Sequence, residues 1–225
     1  MIDVRKYIDN AALKPHLSEK EIEEFVLKSE ELGIYAVCVN PYHVKLASSI
    51  AKKVKVCCVI GFPLGLNKTS VKVKEAVEAV RDGAQELDIV WNLSAFKSEK
   101  YDFVVEELKE IFRETPSAVH KVIVETPYLN EEEIKKAVEI CIEAGADFIK
   151  TSTGFAPRGT TLEEVRLIKS SAKGRIKVKA SGGIRDLETA ISMIEAGADR
   201  IGTSSGISIA EEFLKRHLIL EHHHH

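Results

Sequence analysis

The stretch Glu143-Ala144-Gly145-Ala146-Asp147-Phe148-Ile149-Lys150 decides the fold. A helix-period segment ends there on a glycine, and a short strand-like run follows at once. Glycine takes the left-handed conformation that closes a helix and frees the chain to turn. The same pattern returns at Glu195-Ala196-Gly197-Ala198-Asp199-Arg200, at Glu31-Leu32-Gly33-Ile34-Tyr35-Ala36 and at Arg81-Asp82-Gly83-Ala84-Gln85-Glu86. Gly33 and Gly83, like Gly145 and Gly197, stand about 50 residues apart, which is room for two strand–helix units.

Working outward from these copies, strands are predicted near residues 7–10, 36–39, 55–60, 86–90, 121–125, 148–151, 177–180 and 200–202. Helix-period segments lie between them. Ser18 heads one, with Glu21 three residues on in a capping-box pattern, and Ile22, Phe25, Val26 and Leu32 share one face. Residues 71–80, 103–112, 131–143 and 187–194 repeat the period. Strand and helix alternate with no Pro/Ser-rich linker, which predicts a parallel sheet covered by helices. Eight units fit an α/β fold, a closed (β/α)8 barrel in one domain over residues 1–219, with an open doubly wound sheet as the alternative. No Gly-x-Gly-x-x-Gly follows the first strand, which counts against a dinucleotide-binding version. Residues 220–225, Leu-Glu and four histidines, read as a cloning remnant and purification tag.

Composition narrows the function. The chain has 225 residues, 44% of them hydrophobic, enough for a substantial core. Lys+Arg 32 against Asp+Glu 35 gives a net charge of −3, which argues against nucleic-acid binding by bulk charge but leaves room for a local phosphate site. The apolar run at residues 57–66 is broken by Gly61, Pro63 and Gly65, so no membrane span is expected. The first residues lack the apolar core of a signal peptide. Four cysteines (Cys38, Cys57, Cys58, Cys141) are too few for a disulfide framework, and reduced thiols in the cytoplasm are the simplest reading. Outside the tag, His16, His43, His120 and His217 are too scattered to suggest a zinc site.

In a (β/α)8 barrel the working residues end the strands on their inward side. In Glu86-Leu87-Asp88-Ile89-Val90, alternation sends Leu87 and Ile89 toward the helices and Asp88 inward. Such a carboxylate is either paired for structure or at work. Lys150 ends strand six, and Lys179 stands at the same height on strand seven. Alone, Lys150 reads as a lysine snorkelling to the rim. Lys177 shares the parity of Lys179 but lies at the opposite end, toward bulk water. Two ammonium groups at roughly 5 Å repel by about 3 kcal/mol at an effective dielectric near 20, and burial acts in the same direction. One of the pair is therefore expected to hold a free, nucleophilic amine, with its charged neighbour able to shuttle protons. Three turns rich in glycine and hydroxyls end strands six to eight: Thr151-Ser152-Thr153-Gly154, Ser181-Gly182-Gly183-Ile184-Arg185 and Gly202-Thr203-Ser204-Ser205-Gly206. They suit either a phosphate cradle or plain tight turns. Arg158 and Arg185 could add charge or simply lie on the surface.

The motifs Lys150-Thr151-Ser152-Thr153-Gly154, Lys179-Ala180-Ser181-Gly182-Gly183-Ile184-Arg185, Glu86-Leu87-Asp88 and Gly61-Phe62-Pro63-Leu64-Gly65, taken in order along nearly the whole chain, resemble the deoxyribose-phosphate aldolase family. The resemblance implies a TIM barrel and a class I aldolase that reversibly splits 2-deoxy-D-ribose 5-phosphate into D-glyceraldehyde 3-phosphate and acetaldehyde, in deoxynucleoside catabolism. It implies no metal and no organic cofactor. By position, Lys150 matches the Schiff-base lysine, Lys179 the second lysine that keeps the first reactive, and Asp88 the carboxylate that gives and accepts protons. Thr153, Gly154, Gly182, Gly183, Ser204 and Ser205 match substrate or phosphate contacts, Asp9 an acidic residue that helps order the site, and Cys38 a thiol near the pocket. There are departures. Ala11 stands where many members have a hydroxyl, Phe155 where some have a lysine that Arg158 could replace, and the end of the chain lacks a tyrosine found in some members. Members commonly form dimers or tetramers, so a homo-oligomer is expected. Two rivals remain: a phosphosugar lyase or isomerase without covalent catalysis, and a barrel that binds phosphosugars without turning them over.

Overall fold

The computed structural model describes residues 2–224. Its strands are β1 (Ile8–Ala12), β2 (Ala36–Val39), β3 (Lys55–Ile60), β4 (Glu86–Val90), β5 (Val119–Ile123), β6 (Phe148–Lys150), β7 (Lys177–Ser181) and β8 (Arg200–Thr203). Its helices are α1 (Glu19–Glu31), α2 (Val44–Ile50), α3 (Thr69–Arg81), α4 (Leu93–Lys97), α5 (Tyr101–Glu114), α6 (Glu131–Ala144), α7 (Leu162–Ala172), α8 (Leu187–Glu195) and α9 (Gly206–His224). All strands pair in parallel and in chain order, and Ile8–Asn10 of β1 pairs with Ile201–Thr203 of β8 to close the barrel. The open-sheet alternative is thereby excluded.

The turns that launch the strands behave as the repeated motif predicts. Gly145 ends α6 at φ 88, and Gly197 follows α8 at φ 122. At Gly197 space matters as well: a Cβ there would sit 2.6 Å from Cγ of Lys169. Alternation along the strands then separates two environments. Leu87, Ile89, Val122, Ile149, Val178 and Ile201 point outward and are fully buried against the helices. Each such side chain contributes about 1.5–3 kcal/mol by leaving water. The inward positions carry the charged residues described below. Between α3 and α5, the buried Lys72 pairs with Glu107 at 2.7 Å and donates to the Val90 carbonyl at 3.0 Å, which fixes the end of β4.

β1 and β5 differ most from the sequence reading. β1 starts one residue later, because Val4–Tyr7 forms a 3-10 turn whose first residues are held by Asp3 against Arg5. β5 runs Val119–Ile123 and so starts and ends two residues earlier than predicted. Glu125 is no longer extended: it sits at φ 61 with its carboxylate turned to Thr153. Ser18 does cap α1 through the Glu21 amide at 3.1 Å, but the complete capping boxes belong to Asn130 with Glu133 and to Thr161 with Glu164. Among the described residues, no helix is long and apolar enough to cross a membrane.

Thermal melts test the two turns. Gly145→Ala meets no neighbouring atom and is expected to cost only the left-handed conformation, about 1–2 kcal/mol. Gly197→Ala should lower Tm further, because Lys169 must also move. Equal losses would show that the crowding at Gly197 is not felt.

Candidate active site

β6 and β7 run side by side with Lys150 directly opposite Lys179. Both are inward positions at the C-terminal end of the barrel, so both amines converge on one acceptor. Lys150 Nζ donates to Asp88 Oδ2 at 2.9 Å and Lys179 Nζ to the same oxygen at 2.8 Å. The convergence expected from sequence parity is present. Lys150 and Lys179 are 4% and 1% exposed, so little water separates them. Gly202 on β8 makes room for this, since a Cβ there would lie 2.8 Å from Cε of Lys179.

A second tier lies beneath. Lys179 also donates to Asp9 Oδ2 at 2.6 Å. Lys121 on β5 reaches Asp9 at 2.8 Å, Glu86 at 2.7 Å and the other oxygen of Asp88 at 3.2 Å. Arg200 on β8 joins Asp9 at 2.8 Å to Glu86 at 2.9 Å. Cys57 donates to Asp88 Oδ1 at 3.2 Å. Burial is the largest single influence on the Asp88 carboxyl and would raise it, but Lys121, Lys150 and Lys179 together overcome burial and hold it well below the usual carboxylate range. Asp9 behaves in the same way: burial raises it, and Lys121, Lys179 and Arg200 more than reverse this. For Lys179 burial opposes the charge, yet Asp88 and Asp9 outweigh burial and hold the ammonium above the ordinary lysine value. Lys179 is therefore firmly held as an ammonium.

Above the lysines opens a cleft of about 410 Å³. Lys150, Lys179 and Asp9 lie at its base, and Cys38, Thr153, Gly154, Gly182, Gly183 and Ser204 line its walls. Gly182 and Gly183 both hold left-handed backbone, at φ 96 and φ 79. Among the described residues the amides of Gly182, Gly183 and Ser204 donate to no other group, which leaves a concave set of N–H donors suited to an anion. Arg185 stands on the same wall.

Other expected residues sit differently. Ser205 is not on the wall, and its amide donates to Thr203 Oγ1 at 2.9 Å. Thr153 is on the wall, but its hydroxyl donates to Glu125 at 2.7 Å. Asp9 is fully buried with both oxygens engaged by cations, so it orders the lysines from below. Arg158 forms a two-pronged pair with Glu164 at 3.0 and 3.1 Å and does not line the cleft, so it does not stand in for the lysine that Phe155 replaces. Phe155 instead packs edge-on against Phe62, ring centres 5.4 Å apart. Lys177 is exposed at the far end of β7, as expected. Sequence reasoning missed Lys121, Glu86 and Arg200 in the lower tier, and Lys14 at the rim. Ser152, in the hydroxyl-rich turn after β6, also borders the cleft, and its buried Oγ has no hydrogen-bond partner among the described residues.

Cys38, Cys57 and Asp88 bring three ligand atoms within 4.8 Å of one another, a spacing a metal ion could use. Asp88 already accepts from three lysines, however, and a divalent cation would add to local positive charge. The cluster suits hydrogen bonding better than ligation. A separate apolar groove of about 600 Å³ lies alongside, between Leu64, Leu66, Trp91, Tyr128 and Phe155. Its charged residues are engaged elsewhere, Lys97 with Glu133 and Glu125 with Thr153, so the chemistry belongs to the lysine cleft.

Comparison with known proteins agrees with this geometry. Residues 3–212 match the family model described as DeoC/LacD family aldolase. The deoxyribose-phosphate aldolase of Dictyoglomus turgidum is 49% identical over 209 residues, covering 92% of this chain and 95% of that protein. That of Thermococcus gammatolerans is 50% identical over 216 residues, covering 93% and 96%. A solved deoxyribose-phosphate aldolase from Aeropyrum pernix, described as a unique tetramer, superposes with a TM-score of 0.87 at 36% identity over 93% of this chain and 90% of that one.

The charge cluster sets an expected pH dependence of stability. Asp9 and Asp88 are held low, so their contribution is complete above the unfolded carboxyl value near 3.9 and is lost as pH falls toward their folded values. Lys121 and Lys179 are held high, so theirs is complete below the ordinary lysine value and lost as pH rises through the folded values. Denaturant titrations should show a level contribution between about pH 5 and 9 and a decline below about pH 4 that is shallower in Asp9→Asn. A protein that grows more stable on acidification through that range contradicts the assignment.

Proposed function

The chain belongs to the DeoC/LacD family of aldolases, and from that premise we propose that it is a deoxyribose-phosphate aldolase working through a Schiff base on Lys150. The carrying observation is one Asp88 oxygen shared by two lysines, of which Lys179 has a second carboxylate partner in Asp9 and Lys150 has none. The free amine of Lys150 attacks the C1 aldehyde of open-chain 2-deoxyribose 5-phosphate, and loss of water gives an iminium. Acetaldehyde carries C1 and C2, so the bond that breaks is C2–C3. Its electron pair flows into the iminium to give an enamine, as the C3 hydroxyl proton passes to the Asp88–Lys179 pair through a water. Asp88, held as an anion, relays that proton rather than keeping it. D-glyceraldehyde 3-phosphate leaves. Protonation of the enamine at C2 and hydrolysis of the iminium then release acetaldehyde and restore Lys150.

The Gly182, Gly183 and Ser204 amides anchor the phosphate, with Thr153, Gly154 and Ser205 shaping the adjoining turns. Asp9 acts on substrate through Lys179. No metal or organic cofactor is needed for this sequence of steps, since the iminium is itself the electron sink. Four buried free thiols fit a reducing compartment, and we place the enzyme in the cytoplasm. Leu64, Leu66, Tyr128 and Phe155 are about half exposed or more around one groove, an apolar patch that supports a homo-oligomer, dimer or tetramer.

Borohydride reduction in the presence of acetaldehyde is expected to leave an ethyl adduct on Lys150. An adduct on another lysine, or none, refutes the mechanism, and resistance to trapping would favour a lyase or isomerase without covalent catalysis. Lys150→Ala should abolish turnover. Lys179→Leu leaves Asp88 to pair with Lys150 more closely, so the acid limb of the kcat/KM profile should move to higher pH, and an unmoved limb overturns the role of Lys179. Light scattering on the purified protein is expected to give at least twice the mass of one chain, and a monomer contradicts the oligomer.

A further inference from the structure

Four cations and three carboxylates fill the barrel interior, and the surplus positive charge falls on one of them. Without Lys150, the set is already matched: Lys121, Lys179 and Arg200 face Asp9, Asp88 and Glu86. Each of these three cations contacts at least two carboxylates. Lys150 contacts only Asp88, and it alone of the four forms part of the base of the cleft without a second anionic partner. The titratable groups around and beneath it come from the seven other strands: Asp9 from β1, Cys38 from β2, Cys57 from β3, Asp88 and Glu86 from β4, Lys121 from β5, Lys179 from β7 and Arg200 from β8, with Lys14 and Arg185 on the cleft above. The thiols are neutral members of that set. A proton on Lys150 is thus the one charge that the interior does not match.

We propose that Lys121 and Glu86, which lie beneath the site and touch no substrate, act as positioning residues that set the net charge of the barrel interior in opposite senses, Lys121 keeping the Lys150 amine free to react and Glu86 limiting that effect. Lys121 does this from the opposite side of Asp88: it occupies Oδ1 while Lys150 and Lys179 share Oδ2. Glu86 does the reverse, since its one carboxylate matches Lys121 and Arg200 together. This rests on the Schiff-base reading of Lys150.

The charge count yields signed expectations. Lys121→Met matches three cations to three carboxylates with Lys150 protonated, so the ammonium becomes easier to keep. Glu86→Gln leaves four cations on two carboxylates, so it becomes harder to keep. The double variant restores a surplus of one. Acetaldehyde is the probe, because it carries no phosphate to titrate. The rate of borohydride-trapped adduct formation is followed against pH, and the adduct site is mapped by peptide mass. Relative to the unaltered protein, the acid limb should move up by about one pH unit in Lys121→Met and down by about one in Glu86→Gln. It should return to within a few tenths of a unit in the double variant. A merely structural role would slow all three variants without opposite shifts. Shifts of the same sign, or none, overturn the proposal. If Lys121→Met does not fold, the isosteric Glu86→Gln decides alone: a downward shift supports the proposal and an unmoved limb overturns it. If the unaltered protein gives no adduct on Lys150, the Schiff-base reading has failed instead.

Discussion

One carboxylate oxygen, Oδ2 of Asp88, receives two lysine side chains from neighbouring strands, and the rest of the site is arranged around that contact. Parallel pairing makes it possible, because residues opposite one another in parallel strands share a height and a direction. Closure of the sheet brings β4 across from β6 and β7, so that a carboxylate on one side meets amines on the other. An open sheet with the same sequence pattern would have put Asp88 and Lys179 on one flat face, several strands apart.

Burying six ionised groups beside the Lys150 amine is costly. Each desolvation is tolerable only because opposite charges alternate at hydrogen-bond distance, and loss of one partner from such a set typically costs about 3–5 kcal/mol. The Phe148 ring, on the same inward face, lies against Lys121 and Arg200 and helps shield these charges from water. Gly202 leaves space for the Lys179 side chain, and Cys38 and Cys57 pack with Val59 on the quieter side of the barrel. The nucleophile is tied in least. Lys150 has one ionic partner and faces the open cleft, whereas Lys121 is fully buried and has three. The same lattice of charges holds the barrel together and leaves one amine available for chemistry.

Much of this could be read from the chain. The Gly145 and Gly197 turns marked strand starts, and strand parity placed Asp88, Lys150 and Lys179 on the inner face, with the two lysines at matching heights. The paired glycines at 182 and 183 signalled a backbone able to present its amides. The lower tier was hidden for a physical reason. With β5 placed two residues late, Lys121 became a strand-start residue like Lys177, and its inward register opposite Asp88 was lost. Arg200 meets Asp9 across 191 positions of sequence, a contact that no local pattern encodes. Arg158 went the other way: a charged residue near the cleft was claimed by Glu164 six positions along, because that helix start needed its carboxylate as a cap. Glu125 fits the strand pattern in the sequence, but in the structure it leaves the ladder at φ 61 and accepts from the Thr153 amide and hydroxyl.

The protonation of the three interior lysines is the central claim, and neutron diffraction from deuterated crystals near pH 8 observes it directly. The account predicts three deuterons on the amines of Lys121 and Lys179 and two on that of Lys150. Three deuterons on Lys150, or two on Lys179, would contradict it.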